Sequence, residues 1–337
     1  MKSIITKIVI SLFAILVGST TFAQSPATFP SSLTVSQDGT GNYKTIQEAI
    51  NAVRDLSQLQ VRIFIKNGVY HEKLVVPSWK TRITLVGESR DSTIITGNNY
   101  SGENYPGGKD PYGKDKFTTY TSYTLLVQGD DFVAENLTIR NTAGRVGQAV
   151  ALHIEGDRAI IKNCNLLGNQ DTLYTATSSS RQYYQDCYIE GTTDFIFGEA
   201  TCVFQRCTIK SLTNSYVTAA GTSSRQKFGY VFFDCELIAD SASKVFLGRP
   251  WRPYAKTVFI NCSLGKHIVP EGWNPWKGDA MFPDKEKTAY YAEYNSKGPG
   301  ANGAGRVKWS HQLSKKELQK YSLKNIFEGP GQWVPSL

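Results

Sequence analysis

The 337-residue sequence predicts an all-β fold, a right-handed parallel β-helix closed at one end by a short N-terminal capping helix. Three observations predict it: a five-residue pattern that recurs six times in the middle of the chain, the uneven spacing of its copies, and one convincing amphipathic helix ahead of them.

The pattern begins at Glu135-Asn136-Leu137-Thr138-Ile139 and returns as Lys162-Asn163-Cys164-Asn165-Leu166, Gln185-Asp186-Cys187-Tyr188-Ile189 and Gln205-Arg206-Cys207-Thr208-Ile209. Phe233-Asp234-Cys235-Glu236-Leu237 and Ile260-Asn261-Cys262-Ser263-Leu264 complete it. The third and fifth positions are apolar or cysteine and lie two apart, so each copy reads as one short strand with those two residues facing inward. Successive copies are 27, 23, 20, 28 and 27 residues apart. That period is too irregular for stacked helical repeats, but it suits coils whose turns vary in length while their strands stay in register. A sandwich or closed barrel does not require such in-register recurrence.

The helix is expected over roughly Ile46 to Leu56. Thr45 and Glu48 form a capping box, and Ile46, Ala49, Ile50 and Val53 share one apolar face, as a plug over the end of a solenoid requires. Upstream, Lys2 and Lys7 precede an apolar run from Ile8 to Val17 and the small-residue stretch ending at Ala23. This is the order of a signal peptide covering residues 1–23, cut after Ala23, with one domain over 24–337. The run is shorter than the roughly 20 apolar residues of a membrane helix, and no cysteine lies near the cut to carry a lipid anchor. A secreted protein, periplasmic or extracellular, is therefore expected.

Removing residues 1–23 takes away two lysines and no acidic residue, so the formal charge falls from +8 to +6. The excess is spread along the chain without a dense Lys/Arg block, which argues against a nucleic-acid surface and suits an acidic polysaccharide. Five of the six cysteines occupy the inward third position and read as small apolar side chains in an internal ladder. An exported chain also permits disulfides, and Cys187 and Cys207, on adjacent coils, lie within the Cα separation a disulfide tolerates, so they are a candidate pair beside the reading as core packing. Cysteines one coil apart do not converge on a metal, and the four histidines are not spaced near them, so no metal site is expected.

Asp171 follows Cys164 by seven residues, and Asp194 follows Cys187 by seven. Equal offsets on consecutive coils stack the two carboxyls roughly one strand spacing apart, so they cannot ionise independently and one keeps a proton. One carboxylate is then available as nucleophile or base and its neighbour as general acid.

Around this pair, Gln148-Ala149-Val150-Ala151-Leu152, Gln170-Asp171-Thr172-Leu173-Tyr174, Gly191-Thr192-Thr193-Asp194-Phe195-Ile196-Phe197-Gly198 and Leu247-Gly248-Arg249-Pro250-Trp251 resemble, in order, the signature motifs of pectin methylesterases. Gly68-Val69-Tyr70-His71-Glu72 does so upstream, and the likeness runs from about Leu33 to Trp309. The resemblance implies a metal-independent carbohydrate esterase, without cofactor, that removes methyl groups from methyl-esterified homogalacturonan. It makes Asp194 the nucleophile, Asp171 the acid and later the base, Gln148 and Gln170 the oxyanion hole, and Arg249 the group that holds Asp194 ionised. Thr119 and Trp251 resemble substrate contacts, with Tyr174, Phe195 and Trp276 as further aromatic candidates; Gln148 and Arg249 also face the substrate. Glu72 reads as structural. Thr193 stands where many relatives carry valine, beside the nucleophile.

The turn-rich segment from Gly97 to Thr119 is expected to border the cleft. Other functions are weighed by what they need. A serine esterase of the α/β-hydrolase kind requires a Gly-x-Ser-x-Gly elbow, which is absent. A pectate lyase or polygalacturonase would share the solenoid but needs a calcium-binding carboxylate cluster or clustered aspartates at a glycosidic bond. A non-catalytic β-helix that binds acidic glycans, or an esterase for another ester, completes the alternatives. A monomer is expected, since the helix protects one end of the solenoid.

Overall fold

The computed structural model describes residues 29–335, so the expected signal peptide lies outside the described residues. The chain winds into a parallel β-helix whose coils contribute strands to three sheets of 11, 7 and 8 strands. Every strand pairs in parallel with its counterpart on the next coil. Parallel register turns sequence homology between coils into side-chain stacks: Tyr184, Phe204, Phe232 and Phe259 stand one above another with ring centroids 4.7, 4.5 and 4.3 Å apart. These spacings are those of the backbone ladder itself, so the aromatic column reinforces the register that produces it.

The five-residue pattern is placed differently from the reading as one strand. Each copy straddles a sharp corner: its first residue ends one strand, as Glu135 ends Val133–Glu135, and its fourth opens the next, as Thr138 opens Thr138–Asn141. The second residue turns the corner in the left-handed region, with φ of 58° at Asn136, 49° at Asn163, 53° at Asp186, 51° at Arg206, 53° at Asp234 and 55° at Asn261. Asn and Asp tolerate this conformation better than other non-glycine residues, which explains their recurrence there. The exception, Arg206, is tied down by two hydrogen bonds to Asp186 on the coil below, at 2.8 and 3.0 Å. Asn163 likewise donates to Asn136 at 3.0 Å. The inward assignment of the third and fifth residues stands: Leu137, Ile139, Cys164 and Leu166 are fully buried.

The N-terminal helix spans Ile46–Ala52, shorter at its end than expected because Val53 is already extended. Its capping box is formed as predicted. The structure adds a second cap, the Glu72 carboxylate, which accepts from the free backbone N–H groups of Ile46 and Gln47 at 2.9 and 3.0 Å. A negative group at a helix N-terminus satisfies orphan donors and the helix dipole together, which gives Glu72 its structural role.

All six cysteines are buried free thiols, so the Cys187–Cys207 disulfide is not formed. Stacked parallel strands carry their Cβ atoms in parallel, at the strand spacing of about 4.8 Å, whereas a disulfide needs about 3.8 Å. The five corner thiols instead contact backbone carbonyls of the coil beneath, Cys187 that of Ile161 at 3.4 Å and Cys207 that of Tyr184 at 3.6 Å. Thiol titration of denatured, unreduced protein is expected to find six reactive groups; four would restore the bond.

The outer face of the 11-stranded sheet is covered by the C-terminal segment, where Leu313, Ile326 and Phe327 pack on Tyr183, Val203, Val231 and Val258. The outward row of the seven-stranded sheet, Leu126, His153, Tyr174, Phe197 and Ala219, is buried too, with Trp251 and Trp276 packed against it, and chemistry-bearing residues collect along this face.

Candidate active site

Asp171 and Asp194 occupy matching corners of successive coils, both in the left-handed region, at φ 65° and 49°. The Asp171 N–H donates to the carbonyl of Thr193 at 3.1 Å, and that of Asp194 to that of Tyr216 at 2.9 Å, so the backbone ladder continues through both corners. One coil earlier, Gln148 pairs with Gln170 as a parallel bridge. Four coils thus deliver Gln148, Gln170–Asp171, Asp194 and Arg249 to one cavity of about 330 Å³.

Arg249 grips Asp194 through two hydrogen bonds, Nε to Oδ1 at 2.9 Å and Nη2 to Oδ2 at 2.6 Å. Its guanidinium carbon also lies 3.6 Å from the ring centre of Trp276 and 4.0 Å from that of Tyr216, so the fork is packed against two aromatic faces as well as the carboxylate. Gly248 lets the strand bring Arg249 in: a Cβ there would lie 2.0 Å from the Thr218 hydroxyl.

Both carboxyls are buried, 7% and 6% exposed, and their environments differ. Burial first, and the Asp194 charge second, push Asp171 well above the usual carboxylate range. Burial also raises Asp194, but Arg249 opposes it with hydrogen bonds and charge. The proton of the pair therefore resides on Asp171 and the charge on Asp194, the asymmetry that an acid and a nucleophile need.

Asp171 in the folded protein holds a proton that the unfolded chain releases at about pH 4, so its burial costs nothing below that pH and progressively more as pH rises toward the folded value. Asp171→Asn removes the cost. Its melting temperature is expected to exceed that of the parent by about 2–4 °C at pH 7 and to match it near pH 3, as read by calorimetry across that range.

The remaining expectations divide. Thr119, Trp251 and Trp276 line the cavity, Thr119 arriving on the turn Thr119–Thr121 that closes the Gly97–Thr119 loop. Tyr174 stands at its border, stacked on Phe197 at 4.5 Å and donating to Glu199 at 3.4 Å. Phe195 does not reach the site. It follows the corner residue Asp194, points inward and is fully buried in the main core, so its assignment as a substrate contact is corrected. Phe197, two residues on, is the outward ring that faces the cavity. Tyr120 and Ala219 also line it and were not anticipated; Ala219 shares the outward row His153, Tyr174, Phe197, which register alone would have revealed. Thr193 finds a partner that valine would lack, the Ser215 hydroxyl at 2.7 Å.

The pectinesterase family model matches residues 32–330, which include every residue of this cavity. The chain belongs to the pectinesterase family. It is 38% identical over 328 residues to the probable pectinesterase/pectinesterase inhibitor 23 of Arabidopsis thaliana, covering 92% of this chain and 54% of the relative. The chain thus spans about half the length of the curated relatives it matches. Among solved pectinesterase-family folds, the pectin methylesterase from carrot superposes with a TM-score of 0.79 at 35% identity, over 92% of this chain and 97% of the other. A pectin methylesterase in complex with a hexasaccharide superposes at 0.74 and 30% identity, over 92% and 100%.

Proposed function

We propose that the chain hydrolyses methyl esters of polygalacturonate, releasing methanol, with Asp194 as nucleophile. The observation that carries this reading is the buried carboxyl pair of which only Asp194 is held by a bidentate arginine. An Asp194 oxygen attacks the ester carbonyl carbon, and the oxyanion that forms accepts from the side-chain amides of Gln148 and Gln170, donors that do not titrate. As the tetrahedral centre collapses, the C–O bond to the methoxy group breaks and Asp171 gives that oxygen its proton, so methanol leaves. Asp171, now anionic, takes a proton from water; the hydroxide attacks the acyl carbon, and collapse frees Asp194 and the galacturonate carboxyl.

The aromatic rims of Tyr120, Phe197, Trp251 and Trp276 suit the apolar faces of sugar rings. A net charge of +6 after loss of residues 1–23 suits the acidic polymer that accumulates as product. The same reading takes the protein to be exported through its N-terminal segment, to need no cofactor and to act as a monomer; among the described residues no helix is long and apolar enough to cross a membrane.

Methanol release from highly methylated pectin, in the presence and absence of chelator, is the test, with unsaturated and reducing ends measured in parallel. Methanol without new chain ends, unaffected by chelator, is expected. Calcium-dependent unsaturated ends would make the protein a lyase, new reducing ends a glycosidase, and release of acetate alone from acetylated pectin an esterase for another substrate.

A further inference from the structure

The segment between Trp276 and the strand Tyr290–Tyr294 buries a lysine that the mechanism above does not use. The Lys285 side chain is 0% exposed, and its ammonium group donates to Asp279 at 2.7 Å. Asp279 is itself anchored, its other oxygen accepting from the backbone N–H groups of Met281 and Phe282 at 3.1 and 3.3 Å. The ammonium nitrogen lies 4.3 Å from the ring centre of Trp276, the ring that Arg249 contacts at 3.6 Å. Trp276 is a left-handed residue, φ 53°, whose N–H is tied to Asn274 at 2.8 Å, so its backbone alone leaves the indole to be fixed by what it touches.

We propose that Lys285 is a positioning residue for the esterase reaction: its buried ammonium fixes the Trp276 ring against Arg249 and adds a second positive charge behind Asp194. The inference rests on the proposed esterase reading. Burying an ammonium costs free energy unless the charge is used, and Asp279 offsets only part of that cost. The gain lies in the site, where a fixed indole restricts the guanidinium to the plane of the Asp194 carboxylate and a nearby cation favours the anionic nucleophile. The charged and titratable groups around Asp194 are Arg249, Asp171, Tyr291 and Lys285; those around Lys285 are Asp279, Arg249 and Arg252.

Lys285→Gln removes the charge and keeps an N–H donor on a side chain one atom shorter, and Lys285→Met removes both charge and donor at similar length. The assay is methanol release across pH, with circular dichroism to establish folding. In whichever variant folds, kcat/KM is expected to fall about tenfold, with KM within about twofold. The acid limb of the profile is expected to move up by about half a pH unit, since loss of a cation raises the Asp194 pKa. A folded variant whose acid limb does not move, or whose loss lies wholly in KM, overturns the proposal. Wild-type protein that releases no methanol overturns the esterase reading instead, so the two failures are distinguishable.

Discussion

Asp194→Asn is expected to lower methanol release by about 10⁴-fold or more, the loss typical of removing an activated nucleophile whose partners remain in place. The substitution preserves shape and leaves the Arg249 fork without its anionic acceptor, where both oxygens of Asp194 are engaged at 2.9 and 2.6 Å. A neutral amide oxygen cannot form the acyl bond. Because the defect lies in forming that bond, an activated galacturonate ester with a good leaving group should recover almost none of the rate. Substrate affinity should persist, since the aromatic groups lining the cavity are untouched.

Asp171→Asn is expected to be severe in a different way, lowering methanol release by about 10²–10⁴-fold. Here the nucleophile remains charged beside Arg249, but the departing methoxide finds no proton. Burial keeps Asp171 protonated in the parent, which suits it as the acid. An activated ester needs no such proton, so its acylation should recover by about 10- to 100-fold relative to the methyl ester. Identical responses of the two asparagine variants to leaving-group activation would show that the roles are assigned wrongly.

The parts of this site legible in the sequence are those that in-register stacking converts from sequence offset into space. Asp171 and Asp194 each follow an inward cysteine by seven residues, and the coils place them on matching corners. The inward columns and the capping box of Ile46–Ala52 were legible for the same reason, since each depends on local spacing alone. The corner inside each repeat was not. Polar residues at its second position fit an outward strand residue and a left-handed turn equally well, and only the backbone angles separate them. Phe195 escaped separately: its place next to the nucleophile suggests a substrate contact, but the turn at Asp194, a different corner of the coil, sends its ring into the core. Tyr216 and Lys285 escaped for a further reason: Tyr216 reaches Arg249 from the preceding coil and Lys285 folds back on Trp276 within one loop, through contacts that no motif spacing encodes. The disulfide expectation considered only the distance between coils and not the parallel direction of the two side chains.

The central claim, that Asp194 carries the acyl group and Asp171 serves it, is tested most directly by trapping the intermediate. Asp171→Asn enzyme mixed with an oligogalacturonate bearing a nitrophenyl ester should release one equivalent of nitrophenol and then stall, because the base that activates water is gone. Acid-quenched protein should then show a mass increase equal to the oligogalacturonyl acyl group, mapping to Asp194. Steady turnover with no adduct, or an adduct on any other residue, would contradict the account.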